Sequence, residues 1–170
     1  MSKYPFPMSR NTEKAEKLAL VAHASQAYGD QPYEVHLRHV QKILAEEGFA
    51  QEEILLVSGW LHDVVEDTEV SPEDINREFG PEVADIVCRV SDEPGEDRKQ
   101  RKQETYPKIR GHRAATIIKL CDRIANIEAS REVPDKLAMY DAEYPDFRRQ
   151  VFVPGLCDPL WDRLERLLID

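Results

Sequence analysis

The segment at residues 51–67, QEEILLVSGWLHDVVED, decides how the rest of the chain is interpreted. Residues 54–61 are apolar around most of a helical circumference, which is typical of a helix buried in a core. We therefore predict a helix over residues 51–65. The apolar run is followed at once by four ionisable side chains: His62, Asp63, Glu66 and Asp67. Ionisable groups at the end of a core helix are costly to bury unless a metal ion or a counter-charge accepts them.

The spacing of these four residues predicts separate roles for two of them as metal ligands and for the other two beside a water molecule. His62 and Glu66 are four residues apart, as are Asp63 and Asp67, so on a helix the two pairs lie on neighbouring faces. His62 and Asp63 could hold one ion. Glu66 and Asp67 would then sit one turn further along, near a water molecule at that ion.

Two more segments supply residues of the same type. In TIIKLCDRIANI, residues 116–127, Asp122 falls on an apolar stripe of the predicted helix, where a carboxylate is either paired or a ligand. In PYEVH, residues 32–36, His36 stands near the start of another predicted helix. Two imidazoles and two carboxylates suit Mn²⁺, Fe²⁺ or Zn²⁺ better than Mg²⁺, which prefers oxygen ligands. Such an ion would lower the pKa of a water molecule and neutralise charge on a phosphate.

Helical periodicity dominates the remainder of the chain, and strand-like alternation is hard to find. Asn11 or Thr12 could cap the first helix, residues 29–32 form a turn, and Ser71-Pro72 begins a short helix that stops at Gly80. The other helices are predicted over residues 12–28, 33–47, 81–91, 98–106, 111–130, 135–149 and 157–168. The fold class is therefore predicted to be all-α, and residues 1–170 are predicted to form one domain.

Composition excludes several classes of function. The chain has 170 residues, and 23 Lys and Arg against 33 Asp and Glu give a formal charge of −10. An acidic surface repels nucleic-acid backbones, so no nucleic-acid polymer is expected as a partner. The longest apolar stretch, residues 54–61, is far shorter than a membrane span needs. The three cysteines are widely separated and no secretory signal is visible, so we expect a cytoplasmic protein without disulfides.

Four strings together resemble a known family: Pro32-Tyr33-x-x-His36, Leu61-His-Asp-Val-Val-Glu-Asp-Thr68, Phe79-Gly80-x-x-Val83 and Lys119-Leu-Cys-Asp-Arg-x-x-Asn126. Their order resembles the HD-domain metal-dependent phosphohydrolases, and in particular the hydrolase domain of the RelA/SpoT homologues and the small alarmone hydrolases. The resemblance covers residues 15–130, followed by the C-terminal helices over 135–168.

The resemblance implies a single-domain, HD-type helical bundle that removes the 3′-pyrophosphate of (p)ppGpp with one divalent ion, usually Mn²⁺, with Fe²⁺, Zn²⁺ or Co²⁺ as alternatives. Its metal ligands map to His36, His62, Asp63 and Asp122. Its acidic pair, which handles the attacking water, maps to Glu66 and Asp67. An asparagine near the nucleotide maps to Asn126.

The chain departs from the family in the stretch before Pro32-Tyr33, where family members usually carry a basic pair that contacts the nucleotide. Here that stretch, residues 27–31, reads Ala-Tyr-Gly-Asp-Gln. Basic residues occur elsewhere and could hold a terminal phosphate or pyrophosphate: Arg98, Lys99, Arg101, Lys102 and Lys108. Two other functions therefore remain open, namely an HD-superfamily nucleotidase or phosphatase with another substrate, and a non-catalytic metal- or nucleotide-binding module. His23 is expected to be packed or exposed rather than bound to metal.

Overall fold

The computed structural model describes residues 8–169, and these divide into two units at the boundary between Ser91 and Asp92. The described residues are predominantly helical, as the sequence predicts, and their strands are limited to one short hairpin. No helix among the described residues is both long enough and apolar enough to cross a membrane.

The first unit contains six helices and the hairpin: α1 (Arg10–Ala22), β1 (Ala27–Tyr28), β2 (Gln31–Pro32), α2 (Glu34–Glu46), α3 (Glu53–Leu61), α4 (Val64–Asp67), α5 (Pro72–Phe79) and α6 (Pro81–Val90). Its core is formed where α3 packs against α1, α2 and α6. Trp60 and Leu61 of α3 are fully buried there beside Leu37 of α2. Helix α3 is therefore the central element of this unit, as its apolar sequence predicts.

Helix α1 differs from its prediction at both ends. Its N-cap is Ser9, whose side chain accepts a hydrogen bond from the Thr12 amide at 3.1 Å, so the prediction of Asn11 or Thr12 was wrong by two or three positions. It ends at Ala22 instead of residue 28. The residues beyond it form the antiparallel hairpin, in which Ala27 pairs with Pro32 and Tyr28 with Gln31. Gly29 permits the reversal because it adopts a φ of 65°, which side chains disfavour.

The prediction of a single helix over residues 51–65 was also wrong, because the chain leaves the helix after Leu61 and a second helix begins at Val64. Helix α3 ends at Leu61, and the four-residue α4 follows after His62 and Asp63. Asp63 leaves ideal helical geometry, with φ −106° and ψ −3°. The interruption places two predicted metal ligands at a junction between helices instead of within one.

The helix start predicted at Ser71 is confirmed. The Ser71 hydroxyl accepts from the Asp74 amide, and the Asp74 carboxylate accepts from the Ser71 amide, which together form a capping box. Pro72 occupies the first turn, and α5 ends at Phe79 with Gly80, whose φ is 91°, as its C-cap.

The second unit contains α7 (Arg98–Ile109), α8 (Arg113–Ala129), α9 (Pro134–Val151) and α10 (Asp158–Ile169). These match the predicted helices, except that α7 continues three residues beyond the predicted end at 106. Helix α8 is buried around most of its circumference, from Ala115 to Ala125. Aromatic side chains pack on one another between α7, α9 and α10, with Phe147 contacting both Tyr106 and Trp161 at ring-centroid distances of 5.2 Å.

Candidate functional site

Three predicted metal ligands converge in the first unit. His36 lies in the first turn of α2, and His62 and Asp63 occupy the junction between α3 and α4. His62 Nε2 lies 2.9 Å from Asp63 Oδ2 and 3.2 Å from His36 Nε2, and His36 Nε2 lies 3.6 Å from the same carboxylate oxygen. Both imidazoles are almost completely buried. Residues 26 positions apart therefore present their ligand atoms to one small volume.

The orientation of His62 suits a metal ligand. Its Nδ1 lies 2.8 Å from the carbonyl oxygen of Gly59. Because a carbonyl only accepts hydrogen bonds, Nδ1 carries the proton, and in the neutral ring Nε2 presents its lone pair toward Asp63 and His36. A backbone carbonyl on the second nitrogen is the usual support of a metal-binding histidine.

The chemistry of the donor set fits a divalent cation. Two imidazole nitrogens and a carboxylate offer ligand atoms that all lie within 4.8 Å of one another. In the absence of a cation or proton, two nitrogen lone pairs and an anionic oxygen at this separation repel one another. A mixed nitrogen and oxygen set is typical of first-row transition metals and zinc. The cluster could therefore hold a divalent metal ion.

Gly59 allows the two histidine-bearing segments to approach each other. A Cβ atom at this position would lie 2.8 Å from both Gln41 Nε2 and Leu44 Cδ1 of α2. Gln41 Nε2 also donates to the Leu56 carbonyl at 2.9 Å, which ties α2 to α3 beside this glycine. The small residue at 59 thus sets the close packing that brings His36 to His62, and its carbonyl orients the His62 ring.

Two further residues contact the acids of this region, and sequence analysis assigned neither of them a role. The Tyr33 hydroxyl donates a hydrogen bond to Asp63 Oδ2, the oxygen that faces both histidines. Gln26 Nε2 donates to Asp67 Oδ2 at 2.9 Å. Tyr33 stood in the sequence only as part of the Pro-Tyr string, and Gln26 carried no signal because its contact spans 41 positions.

Glu66 and Asp67, the predicted water-handling pair, are both exposed on α4. The interruption at His62 and Asp63 removes them from the continuous helix that their prediction assumed. The Asp67 amide nevertheless donates to the Asp63 carbonyl at 3.0 Å, so one helical turn still joins the predicted metal ligand to this carboxylate. The pair is accordingly solvated and lies directly after the histidine cluster.

Asp122 and Asn126, which were predicted as metal ligand and substrate contact, lie on α8 in the second unit. Asn126 Nδ2 donates to Asp122 Oδ1 at 2.7 Å, and Lys119 Nζ lies 3.2 Å from Asp122 Oδ2. The sequence left open that Asp122 is a paired carboxylate, and the structure shows such a pair, with Lys119 as the partner. Arg123 instead pairs with Glu143 of α9 at 3.0 Å.

Three of the five basic residues predicted to contact phosphate are paired with carboxylates inside the second unit. Arg98 pairs with Glu143, Lys108 Nζ lies 2.6 Å from Glu93, and Lys102 Nζ lies 2.7 Å from Asp92. The other two, Lys99 and Arg101, are exposed and partly buried, respectively.

The pair of Lys102 and Asp92 is buried. Burial lowers the pKa of the Lys102 ammonium, and the nearby Lys119 adds to this effect. Burial by itself would raise the pKa of Asp92, but the attraction of Lys119 and Lys102 outweighs it and holds that pKa below its usual value. Lys102 therefore contributes to a buried charge network in this unit.

Comparison with known proteins places these residues in a family context. The family described as HD domain matches residues 15–146. The guanosine-3′,5′-bis(diphosphate) 3′-pyrophosphohydrolase MESH1 of Drosophila melanogaster is 36% identical over 97 residues, which cover 56% of this chain and 54% of that protein. The chain thus matches about half the length of that relative. MESH1 of Danio rerio is 30% identical over 158 residues, which cover 87% of each chain.

A solved structure shows the same likeness in three dimensions. It is described as a metazoan orthologue of SpoT that hydrolyses ppGpp, and it superposes with a TM-score of 0.77 at 27% sequence identity. The superposition covers 99% of this chain and 97% of the other. The helical arrangement predicted from the sequence strings is therefore that of these hydrolases.

Proposed function

The chain belongs to the HD domain family, and on that premise we propose that it is a metal-dependent phosphohydrolase that removes the 3′-pyrophosphate of (p)ppGpp-type nucleotides. The observation that carries the proposal is the convergence of His36, His62 and Asp63, followed one turn later by an exposed pair of carboxylates. The activity for which the MESH1 relatives are named, guanosine-3′,5′-bis(diphosphate) 3′-pyrophosphohydrolase, supports the choice of substrate.

We propose that Asp122 completes the ligand set, as the family resemblance implies. Its support is chemical, since it is a mostly buried carboxylate on a helix of isoleucines and alanines within the matched region. We propose Mn²⁺ as the resident ion, with Fe²⁺, Zn²⁺ and Co²⁺ as alternatives that the same donors accept. Once bound, the ion supplies Lewis acidity and offsets negative charge on the phosphate.

Glu66 and Asp67 would act on the attacking water. As exposed carboxylates they are able to accept its proton while its oxygen bonds to the phosphorus attached to the ribose 3′ oxygen. The bond between that phosphorus and the 3′ oxygen breaks, the 3′ oxygen takes up a proton, and pyrophosphate leaves. Asn126 would contact the nucleotide.

The basic residues of the second unit remain candidates for the phosphate groups. Lys99, which is exposed, and Arg101 have no carboxylate partner among residues 8–169 and are the more available of the set. Arg98, Lys102 and Lys108 would have to exchange a carboxylate for a phosphate, which costs part of the binding energy.

One observation favours a second candidate function. The hairpin stretch at residues 27–31 offers no basic side chain where the family carries a basic pair. A nucleotidase or phosphatase of the same superfamily, acting on a nucleotide with fewer phosphates, fits that difference. A module that binds without turnover is a third candidate.

The test is an assay of purified protein with Mn²⁺ against ppGpp, nucleoside monophosphates and nucleoside triphosphates, with pyrophosphate and orthophosphate measured separately. Pyrophosphate release from ppGpp, lost in Asp63→Ala, is the expected result. Orthophosphate release from a monophosphate would favour the second candidate. Absence of any turnover with Mn²⁺ bound would favour the third.

We propose further that residues 1–170 form one HD domain, because the family match at residues 15–146 begins in the first unit and ends in the second. A cytoplasmic location is proposed with it. None of Cys88, Cys121 and Cys157 forms a disulfide within residues 8–169, which suits a reducing compartment.

A further inference from the structure

The hairpin after α1 carries, at its two ends, contacts to two acids of the candidate site. Gln26 precedes β1 and Tyr33 follows β2, and the Tyr33 amide donates to the Gln26 carbonyl at 3.1 Å. Gln26 reaches Asp67, and Tyr33 reaches Asp63. The closed hairpin therefore holds both donors at a fixed separation.

The contact from Gln26 to Asp67 has a defined direction. Gln26 Nε2 lies 2.9 Å from Asp67 Oδ2, and Gln26 Oε1 lies 2.7 Å from His23 Nδ1. Only the amide nitrogen can donate to a carboxylate, so the amide oxygen faces the imidazole, and His23 must present a proton on Nδ1. His23 thus donates a hydrogen bond to Gln26, and Gln26 in turn donates one to Asp67.

The buried environment of His23 indicates that its Nδ1 proton is used in the hydrogen bond to Gln26. His23 is 3% exposed, and its Nε2 is buried with no hydrogen-bond partner among residues 8–169. A buried nitrogen without a partner costs free energy, which an apolar ring at this position would avoid. The imidazole gains in return the hydrogen bond to Gln26. The sequence prediction that His23 is merely packed or exposed leaves this contact out.

Tyr33 contacts Asp63 directly and also packs against His23, which holds the Gln26 side chain that contacts Asp67. Its ring stacks on His23 with centroids 4.6 Å apart and planes inclined by 27°. Its hydroxyl donates to Asp63 Oδ2, the oxygen nearest the two histidines. In the stacked pair, the Tyr33 hydroxyl is therefore directed at Asp63, and His23 holds the Gln26 amide that is directed at Asp67.

We propose that His23, Gln26 and Tyr33 are positioning residues of the active site, an inference that rests on the proposed function. Tyr33 orients Asp63 for the metal ion. Gln26, held by His23, orients Asp67 for the water molecule. Asp67 is exposed and would otherwise rotate freely, whereas the bond to Oδ2 leaves Oδ1 with no hydrogen bond from any residue in 8–169 and thus available to the water.

The experiment compares Tyr33→Phe and Gln26→Leu with the matched control Gln31→Leu. Gln31 is exposed on the same hairpin, and its amide contacts Asp30 instead of an acid of the site. Calorimetry gives the Mn²⁺ Kd, and steady-state kinetics with ppGpp give kcat and KM. We expect Tyr33→Phe to weaken Mn²⁺ binding about tenfold, as loss of a group that supports a metal ligand typically does. We expect Gln26→Leu to lower kcat about tenfold at saturating Mn²⁺, with Kd and KM within about twofold of wild type. Gln31→Leu should match wild type.

A second variant separates positioning from folding. Gln26→Glu keeps the length of the side chain and can still accept from His23, but it places a carboxylate against Asp67. Its kcat should fall at least as far as that of Gln26→Leu, with an unchanged thermal unfolding temperature. Full kcat in Gln26→Glu, or wild-type Mn²⁺ affinity in Tyr33→Phe, would overturn the proposal.

Failure of the proposed function gives a different result. If wild-type protein saturated with Mn²⁺ releases no pyrophosphate from ppGpp, the proposed function fails. The positioning proposal is then tested by the Mn²⁺ affinities and by crystal structures of wild type and Gln26→Leu. An Asp67 carboxylate in the same orientation in both crystals would refute it, and a displaced one in the variant alone would support it.

Discussion

Gly59→Ala tests whether the close packing of α2 against α3 builds the histidine cluster. The new Cβ would lie 2.8 Å from Gln41 Nε2 and from Leu44 Cδ1, both of them ends of buried side chains. Overpacking of this kind costs about 1–3 kcal/mol, and loss of the bond from Gln41 to the Leu56 carbonyl costs about 1 kcal/mol more. Replacing glycine by alanine within a helix returns about 1 kcal/mol. We therefore expect the free energy of unfolding to fall by about 1–3 kcal/mol.

The same substitution should weaken Mn²⁺ binding, because displacement of α2 moves His36 away from His62. Urea unfolding of the metal-free protein and Mn²⁺ titration are the two measurements. Ser58→Ala is the matched control on the same helix, since the Ser58 hydroxyl is buried with no hydrogen-bond partner among the described residues. That control should unfold at the wild-type urea concentration or above it. If Gly59→Ala is as stable as Ser58→Ala and binds Mn²⁺ equally well, the close approach does not build the site.

Three other outcomes are expected. Chelation with EDTA should abolish turnover, and Mn²⁺ at 100 times its Kd should stabilise the protein against urea by about 2.7 kcal/mol, which a metal-independent enzyme would not show. Lys102→Ala should lower the free energy of unfolding by about 1–3 kcal/mol, because it removes a charged hydrogen bond to the buried Asp92 while Lys119 stays nearby. Lys99→Ala should leave stability unchanged, and equal stabilities of the two variants would contradict the pairing. Hydrogen bonds from Ser71, with the nearby Arg77, lower the pKa of Asp74 from 3.8 to about 2, so the stability that the ionised Asp74 contributes is present above about pH 4 and is lost as the pH falls toward 2. Asp74→Asn should remove that part of the pH dependence of stability, measured by urea titrations at pH 7 and pH 2. An unchanged pH dependence in the variant would refute this assignment.

Local sequence was sufficient where the deciding interactions are short in range. The capping box at Ser71, the helix end at Gly80 and the buried character of α3 each depend on residues within one or two turns, so the sequence predicted them correctly. The resemblance of the four strings identified the family, and the match over residues 15–146 confirms it.

The errors occurred where distant residues compete with local preference. Residues 51–65 have the composition of one helix, yet the chain is interrupted at His62 and Asp63, where Gly59 and Tyr33 hold their side chains. The end of α1 was misplaced for a similar reason, since the hairpin that follows is closed by backbone pairing that composition does not reveal.

The sequence by itself determined the helical class and the family, and it predicted the histidines and acids of the candidate site. Those depend on residue type, order and spacing along one chain. Tertiary structure alone decided the partners of Gln26 and Tyr33, because hydrogen bonds across 41 and 30 positions leave no periodic trace in a sequence. Tertiary structure also decided that Lys102 forms a buried ion pair with Asp92. The basic segment at residues 98–102 has the same composition whether its lysines are exposed to solvent or paired with a buried aspartate.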